Sequence, residues 1–284
     1  MASLKAIRRR IATTKSTQQI TRAMKLVAAA RLRRAQNALM NARPYGAALT
    51  RVAGSVLASQ HILAPDGARR AALIVVVAAD RGQCGSYNSN ALNTAEAASR
   101  RLREQGIEPR LFAVGKKAVD HYRRYRIALA GERMELRPKL ASIGLARDIA
   151  HLLLSDFRSG EASEVAIVYS RFVSALTQRP TYEKLLPIEA ADAAGKQPAD
   201  YIFEPNRDEL VPVVLRTYIE MAVFHALLEA EASEQAARMT AMDNATNNAQ
   251  KMIQSLTLEM NRARQAQITR ELMDIVGGSE ALRG

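Results

Sequence analysis

VVLRTYIEMAVFHALLEAEASEQAARMTAMDNATNNAQKMIQSLTLEMNRARQAQITRELMDIV, residues 213–276, contains neither proline nor glycine. Nothing in it forbids one continuous helix, which at 1.5 Å per residue runs roughly 95 Å. That length describes a shaft rather than a cover for a globular core. Its small and apolar residues recur every three or four positions through Leu215, Ile219, Ala222, Ala226, Ala230, Ser233, Ala237, Ala241, Ala245, Ala249, Met252, Leu256, Met260 and Ala263. They therefore line one narrow face, and an Ala-rich face lets a second helix approach closely.

The second helix is read at the other end of the chain. Residues 3–43 are also free of proline and glycine and could span about 60 Å. Leu4, Ile7, Ile11, Thr14, Gln18, Thr21, Met24 or Lys25, Ala28, Leu32, Ala35 and Leu39 give a matching stripe. Polar residues and stutters in it exclude a strict leucine zipper. Helices beyond about 25 residues point to coiled coils, so the two are expected to pair. An antiparallel arrangement brings Arg31, Arg33 and Arg34 near Glu229, Glu231 and Glu234, and Ile7 and Ile11 near Leu256 and Met260.

The formal charge of the 284-residue chain is +13, and its distribution says more than its size. No Asp or Glu precedes Asp66, whereas twelve Lys and Arg do; the other 29 basic residues face 28 acidic ones. The first helix should therefore meet an acidic partner: nucleic acid, an anionic membrane or an acidic protein surface. Against nucleic acid, Tyr45 is the only aromatic residue before position 66, and no DNA- or RNA-binding motif accompanies the charge. A basic coiled-coil nucleic-acid binder and an α/β enzyme with helical arms are the competing readings. The apolar run Ala71–Ala79 is too short to cross a bilayer, and no apolar core follows the basic start. The expectation is a soluble, unsecreted chain with no direct membrane insertion. The helical stripe begins by Leu4, which argues against a removable leader.

Cys84 is the single cysteine, so there is no internal disulfide and no cysteine-rich metal site, and it reads as a packed thiol. His61, His121, His151 and His225 are scattered without ligand spacing.

Between the rods the pattern changes at Pro65, Asp66 and Gly67. Ala71–Ala79 reads as a buried strand, Asn88–Gln105 as a helix, Pro109–Val114 as a strand and Lys116–Tyr125 as a helix. Leu140–Phe157 follows as a helix, then strand Glu164–Ser170, a hairpin partner at Tyr182–Ile188, a loop at 191–198 and a short strand at 201–203. The fold expected is α/β with long helices: an antiparallel coiled coil of the N- and C-terminal helices (1–59 and 208–284) plus an inserted Rossmann-like α/β domain (68–206). Asp80–Gly85 lies where ligand loops sit after a strand, and Gly115-Lys116 looks like part of a phosphate loop. A complete phosphate loop would need a glycine at 110 and a Ser or Thr at 117, where the chain has Arg110 and Lys117.

IRRRIATTKSTQQITRAMKLVAAARLRRAQ (7–36) resembles the first helix of the gamma subunit of F-type (F1Fo) ATP synthases. SEQAARMTAMDNATNNAQKMI (233–253) and ITRELMDIVGGSEAL (268–282) resemble the signatures of that family's last helix. DRGQCGSYN (80–88) and YIFEP (201–205) resemble parts of its central domain. The similarity spans essentially the whole chain, with Gly278-Ser279 where the family commonly has Gly-Ala. The chain lacks the inserted cysteine pair of chloroplast members and so resembles the bacterial type.

The resemblance implies a central rotor stalk on the cytoplasmic face of a bacterial membrane, with no catalytic residue and no cofactor. It implies alpha and beta subunits (three each), an epsilon subunit and the membrane c-subunit ring as partners. By the same resemblance Met24 and Lys25 face the levers of the beta subunits. Arg264 and Gln265, with Thr269 and Glu271 nearby, meet a beta loop that grips the shaft. Arg238 supports coupling, and Tyr201 and Glu204 lie at the foot near the c ring and epsilon. The tip around Ile268, Leu272, Ile275 and Val276 would project into an apolar sleeve.

Overall fold

A computed structural model describes residues 4–57, 65, 67, 69–134, 141–188, 204 and 206–281. Two helices dominate: α1, Leu4–Leu57, and α5, Arg207–Ala281, of 54 and 75 residues. Between them lie β1 (Ala71–Val77), α2 (Tyr87–Glu104), β2 (Glu108–Val114), α3 (Lys116–Arg124), β3 (Leu129–Arg133), α4 (Ile143–Arg158), β4 (Glu164–Phe172) and β5 (Gln178–Leu186). Both long helices extend past the stretches free of proline, through Pro44 in α1 and Pro212 in α5. An interior proline costs a helix about 3 kcal/mol. Here the flanks are held from outside, by buried Leu39 and Ala53 around Pro44 and by Val211 and Leu215 around Pro212.

The chain forms two compact units. One comprises Met1–Val27 and Met239–Gly284, and in it the two helices run antiparallel. Gln18 donates to Gln250 at 2.7 Å, Thr246 to Thr21 at 2.8 Å and Lys25 to Asp243 at 2.6 Å. This is the register expected for Ile7 and Ile11. On α5 the seam differs from the expected stripe: Met252 is 52% exposed and Ile253 only 9%. The inward positions are Met242, Thr246, Ala249, Ile253, Leu256 and Met260, alternating steps of four and three. Ile7, Ile11, Thr14, Gln18, Thr21 and Lys25 do the same on α1 without a stutter. A step averaging 3.5 keeps the seam facing its partner in a left-handed supercoil, whereas the expected stripe follows the straight helix and drifts off the contact.

The other unit, Ala28–Arg238, contains a five-stranded sheet in the order β3-β2-β1-β4-β5, parallel except for β5. Every residue of β1 is buried, as a central strand covered on both faces must be. Its two faces separate by pleat. Ala72, Ile74 and Val76 meet Leu92, Ala95 and Leu102 of α2 and Ala118, Val119 and Tyr122 of α3. Leu73, Val75 and Val77 meet Ile149, Leu153 and Phe157 of α4, Leu39 of α1, and Leu215, Ile219, Val223 and Leu227 of α5. α5 is the one helix among the described residues apolar and long enough, by length and composition, to cross a membrane. Its apolar face is instead part of this core.

β3 is an unexpected element. Its LAGER sequence is short, charged at one end and on the sheet edge, where little apolar pattern is needed. Gly131 is required there, since a Cβ would fall 2.7 Å from the Phe112 ring. β5 pairs antiparallel with β4 but starts at Gln178 rather than 182. The expected strand at 201–203 lies outside the described residues. Arg31, Arg33 and Arg34 remain exposed. Glu229, Glu231 and Glu234 have other partners, because they point at the α/β domain and not along the face that carries the arginines.

Candidate functional site

The order β3-β2-β1-β4-β5 leaves a crevice beyond the carboxyl ends of β1 and β4, where the chain's connections turn to opposite sides. Open α/β sheets bind ligands there. In this molecule the neighbouring phosphate position is closed from within. Asp80 Oδ1 accepts from the Lys116 N–H at 2.9 Å, so a carboxylate already caps α3. Gly115, at φ +93°, packs so tightly that a Cβ would lie 2.1 Å from the Ala78 carbonyl oxygen. The Asp80–Gly85 loop is pinned as well. Asn88 Oδ1 accepts from Ala79 N–H at 2.9 Å, and its amide donates to Cys84 Sγ at 3.2 Å. Cys84 is buried, and burial raises its thiol above the ordinary value, which keeps it protonated and unreactive.

The crevice holds a segment of α5. Ser233 Oγ donates to the Ser170 carbonyl at 2.8 Å, and Glu229 Oε2 accepts from the Phe172 N–H at 3.2 Å, both at the end of β4. Arg238 donates to the carbonyls of Arg81 (3.4 Å) and Gly82 (3.3 Å), beyond the end of β1, and to Glu234 at 2.6 Å. Tyr87 donates to the Ala230 carbonyl at 3.2 Å, and Glu231 accepts from Ala141 N–H at 3.1 Å. Burial raises the Glu229 and Glu234 carboxyls above the ordinary range. His225, the Phe172 amide and Arg171 oppose this at Glu229, and Arg238 at Glu234.

Arg238, expected to support the shaft, thus belongs to this seat. Lys25 is in the helix seam, bonded to Asp243, with half-buried Met24 beside it. Arg264 and Glu271 line an open groove with Leu4, Lys5, Arg8, Gln267 and Ile268. Glu271 accepts from Gln267 at 2.9 Å, while Gln265 and Thr269 are exposed. Glu204 is exposed, and Tyr201 lies outside the described residues. In the seam's register Leu4 lies opposite Ala263, so beyond the groove that the first turns of α1 share with residues up to Glu271, α5 has no partner helix among the described residues. Ile268, Leu272, Met273, Ile275 and Val276 are 48% to 68% exposed there. Among the described residues no three His, Cys, Asp or Glu gather as a metal site. From the sequence Glu229 is assigned to the α1 arginines, Ser233 to the small-residue stripe and Tyr87 to no role; the strand end followed by a Gly-containing loop at 80–85 was the available signal for the seat.

A family model described as ATP synthase matches residues 3–282. The ATP synthase gamma chain of Pelotomaculum thermopropionicum is 46% identical over 99% of this chain and all of that protein. The ATP synthase gamma chain of Moorella thermoacetica is 44% identical over the full length of both. Among solved structures, a chain of the Euglena gracilis mitochondrial ATP synthase (OSCP/F1/c-ring, rotational state 3) aligns with a TM-score of 0.71. It is 21% identical, and the alignment covers 98% of this chain and 94% of the other.

Proposed function

This chain belongs to the ATP synthase family, among its gamma chains, and from that premise we propose that it is the central rotor stalk of an F-type ATP synthase. It is a non-catalytic subunit. Its work is to present a different surface to each of three catalytic beta subunits as it turns, so that angle sets nucleotide affinity through differential contact. The observation that carries this reading is the end of α5 beyond Glu271, which among the described residues runs on as a single helix with an exposed apolar surface of Leu272, Met273, Ile275 and Val276. Apolar contact is non-directional, so such a surface can slide within a sleeve where fixed ion pairs would hold it.

In this reading segments 1–59 and 208–284 form the shaft, and 68–206 the domain that meets the membrane sector. Met24 and Lys25 with the basic face of α1 meet acidic levers of beta. Arg264, Gln265, Thr269 and Glu271 meet the loop of beta that grips the shaft. Arg238 braces the shaft, and Tyr201 and Glu204 contact the c ring and epsilon. The subunit is peripheral, on the cytoplasmic face of a bacterial membrane. The basic face needs no nucleic acid to explain it once acidic beta surfaces are its partners.

Co-purification tests the reading. Tagged chain drawn from solubilised membranes should bring alpha and beta, each in threefold excess over it. Recovery without them, or with nucleic acid in their place, contradicts it.

A further inference from the structure

Glu229–Arg238 occupies the crevice in which open α/β sheets hold their ligands. The attachments made along this segment are spread around the helix. At about 100° per residue, Glu229, Ser233, the Ala230 carbonyl, Arg238 and Glu231 cover roughly 200° of its circumference. A helix laid on a sheet by one apolar stripe can roll on that stripe. Bonds on opposite flanks oppose rolling in both senses, because turning either way stretches one set.

The partners add stiffness. Apart from the Tyr87 hydroxyl they are backbone groups, namely the Ser170 carbonyl, the Phe172 and Ala141 N–H groups and the carbonyls of Arg81 and Gly82. Such groups do not swing as side chains do. Ser233 and Glu229 are buried, so water cannot readily replace the bonds they make.

We propose that this segment is a torque key: Glu229 and Ser233, with Arg238, are positioning residues that lock α5 against rotation relative to the α/β domain, in the place a small ligand would otherwise occupy. The proposal rests on the rotor-stalk reading and adds to it the site where torque passes between sheet and helix. Hydrolysis at distant catalytic sites does not need the key, whereas transfer of the turn to the membrane sector does.

The test uses the complete membrane-bound complex with Ser233→Ala, Glu229→Ala or Glu229→Gln in this chain. ATP hydrolysis and ATP-driven proton pumping are measured on the same vesicles. Both alanine variants should hydrolyse ATP but pump severalfold fewer protons per ATP. Glu229→Gln, whose amide oxygen still accepts from Phe172, should keep the unsubstituted ratio. If Glu229→Ala does not assemble, Ser233→Ala, which removes one hydroxyl, decides alone. A pumping ratio unchanged in the alanine variants overturns the key, even where hydrolysis falls. Failure of the stalk reading is distinct: the unsubstituted chain would then neither assemble with alpha and beta nor support pumping.

Discussion

Lys25 Nζ lies 2.6 Å from Asp243 Oδ1 across the antiparallel seam, with both side chains about two-fifths exposed. Together with Gln18–Gln250 and Thr21–Thr246 it makes a run of polar layers in an otherwise apolar contact. Polar seam layers give up stability for register. In a shaft, register fixes which face each helix turns outward.

Because the Lys25–Asp243 pair is so exposed, Asp243→Ala should lower stability by less than about 1 kcal/mol. Urea unfolding followed by helicity measures this. A loss of several kcal/mol would mean that the pair holds the coil together rather than aligning it.

Ala245 is half-buried in the paired part of α5. Ala245→Pro should cost about 3 kcal/mol or more and kink the helix. In the assembled complex, slow single-site hydrolysis should survive while pumping is lost. Normal pumping by an assembled proline variant would contradict the shaft.

Burial raises the folded-state value of Glu229 above the unfolded one. The stability associated with its proton is therefore present below the ordinary carboxylate range and lost as pH rises through the raised value. Glu229→Gln has no such proton to lose. Relative to the unsubstituted chain it should gain stability as pH climbs through that window, despite the opposing pull of His225 and Arg171. Unfolding midpoints across the pH series give the sign, and a difference falling with pH refutes it.

Gly115→Ala should destabilise by more than about 3 kcal/mol, since it combines a left-handed φ with overlap at the Ala78 carbonyl. Gly278→Ala meets nothing within 4 Å in α5 and should add up to about 1 kcal/mol of helix stability. Gly115→Ala should lower the thermal midpoint, while Gly278→Ala, in the exposed end of the helix, should leave the midpoint in place and show as added helicity.

The rods were legible because an absence of helix breakers is a local property, and β1 because seven consecutive residues are buried together. The seam was legible only to within a residue. Choosing Ile253 over Met252 depends on the supercoil, which arises when the helices pair. β3 left no pattern because an edge strand need not be apolar on both faces. The seat was hidden by distance: Glu229 meets Phe172 57 positions away and Arg238 meets Arg81 157 positions away. In the sequence Glu229, Glu231 and Glu234 looked like partners for Arg31, Arg33 and Arg34.

A single helical end with no partner is only marginally stable in water. Over residues 264–279 α5 has side chains exposed on every side, so packing among the described residues does little to keep it wound. In the rotor-stalk reading, the sleeve proposed around it supplies the contacts that keep it wound. In that reading the free energy of winding this end is settled at assembly, and the helicity of the tip would report whether the chain has been installed.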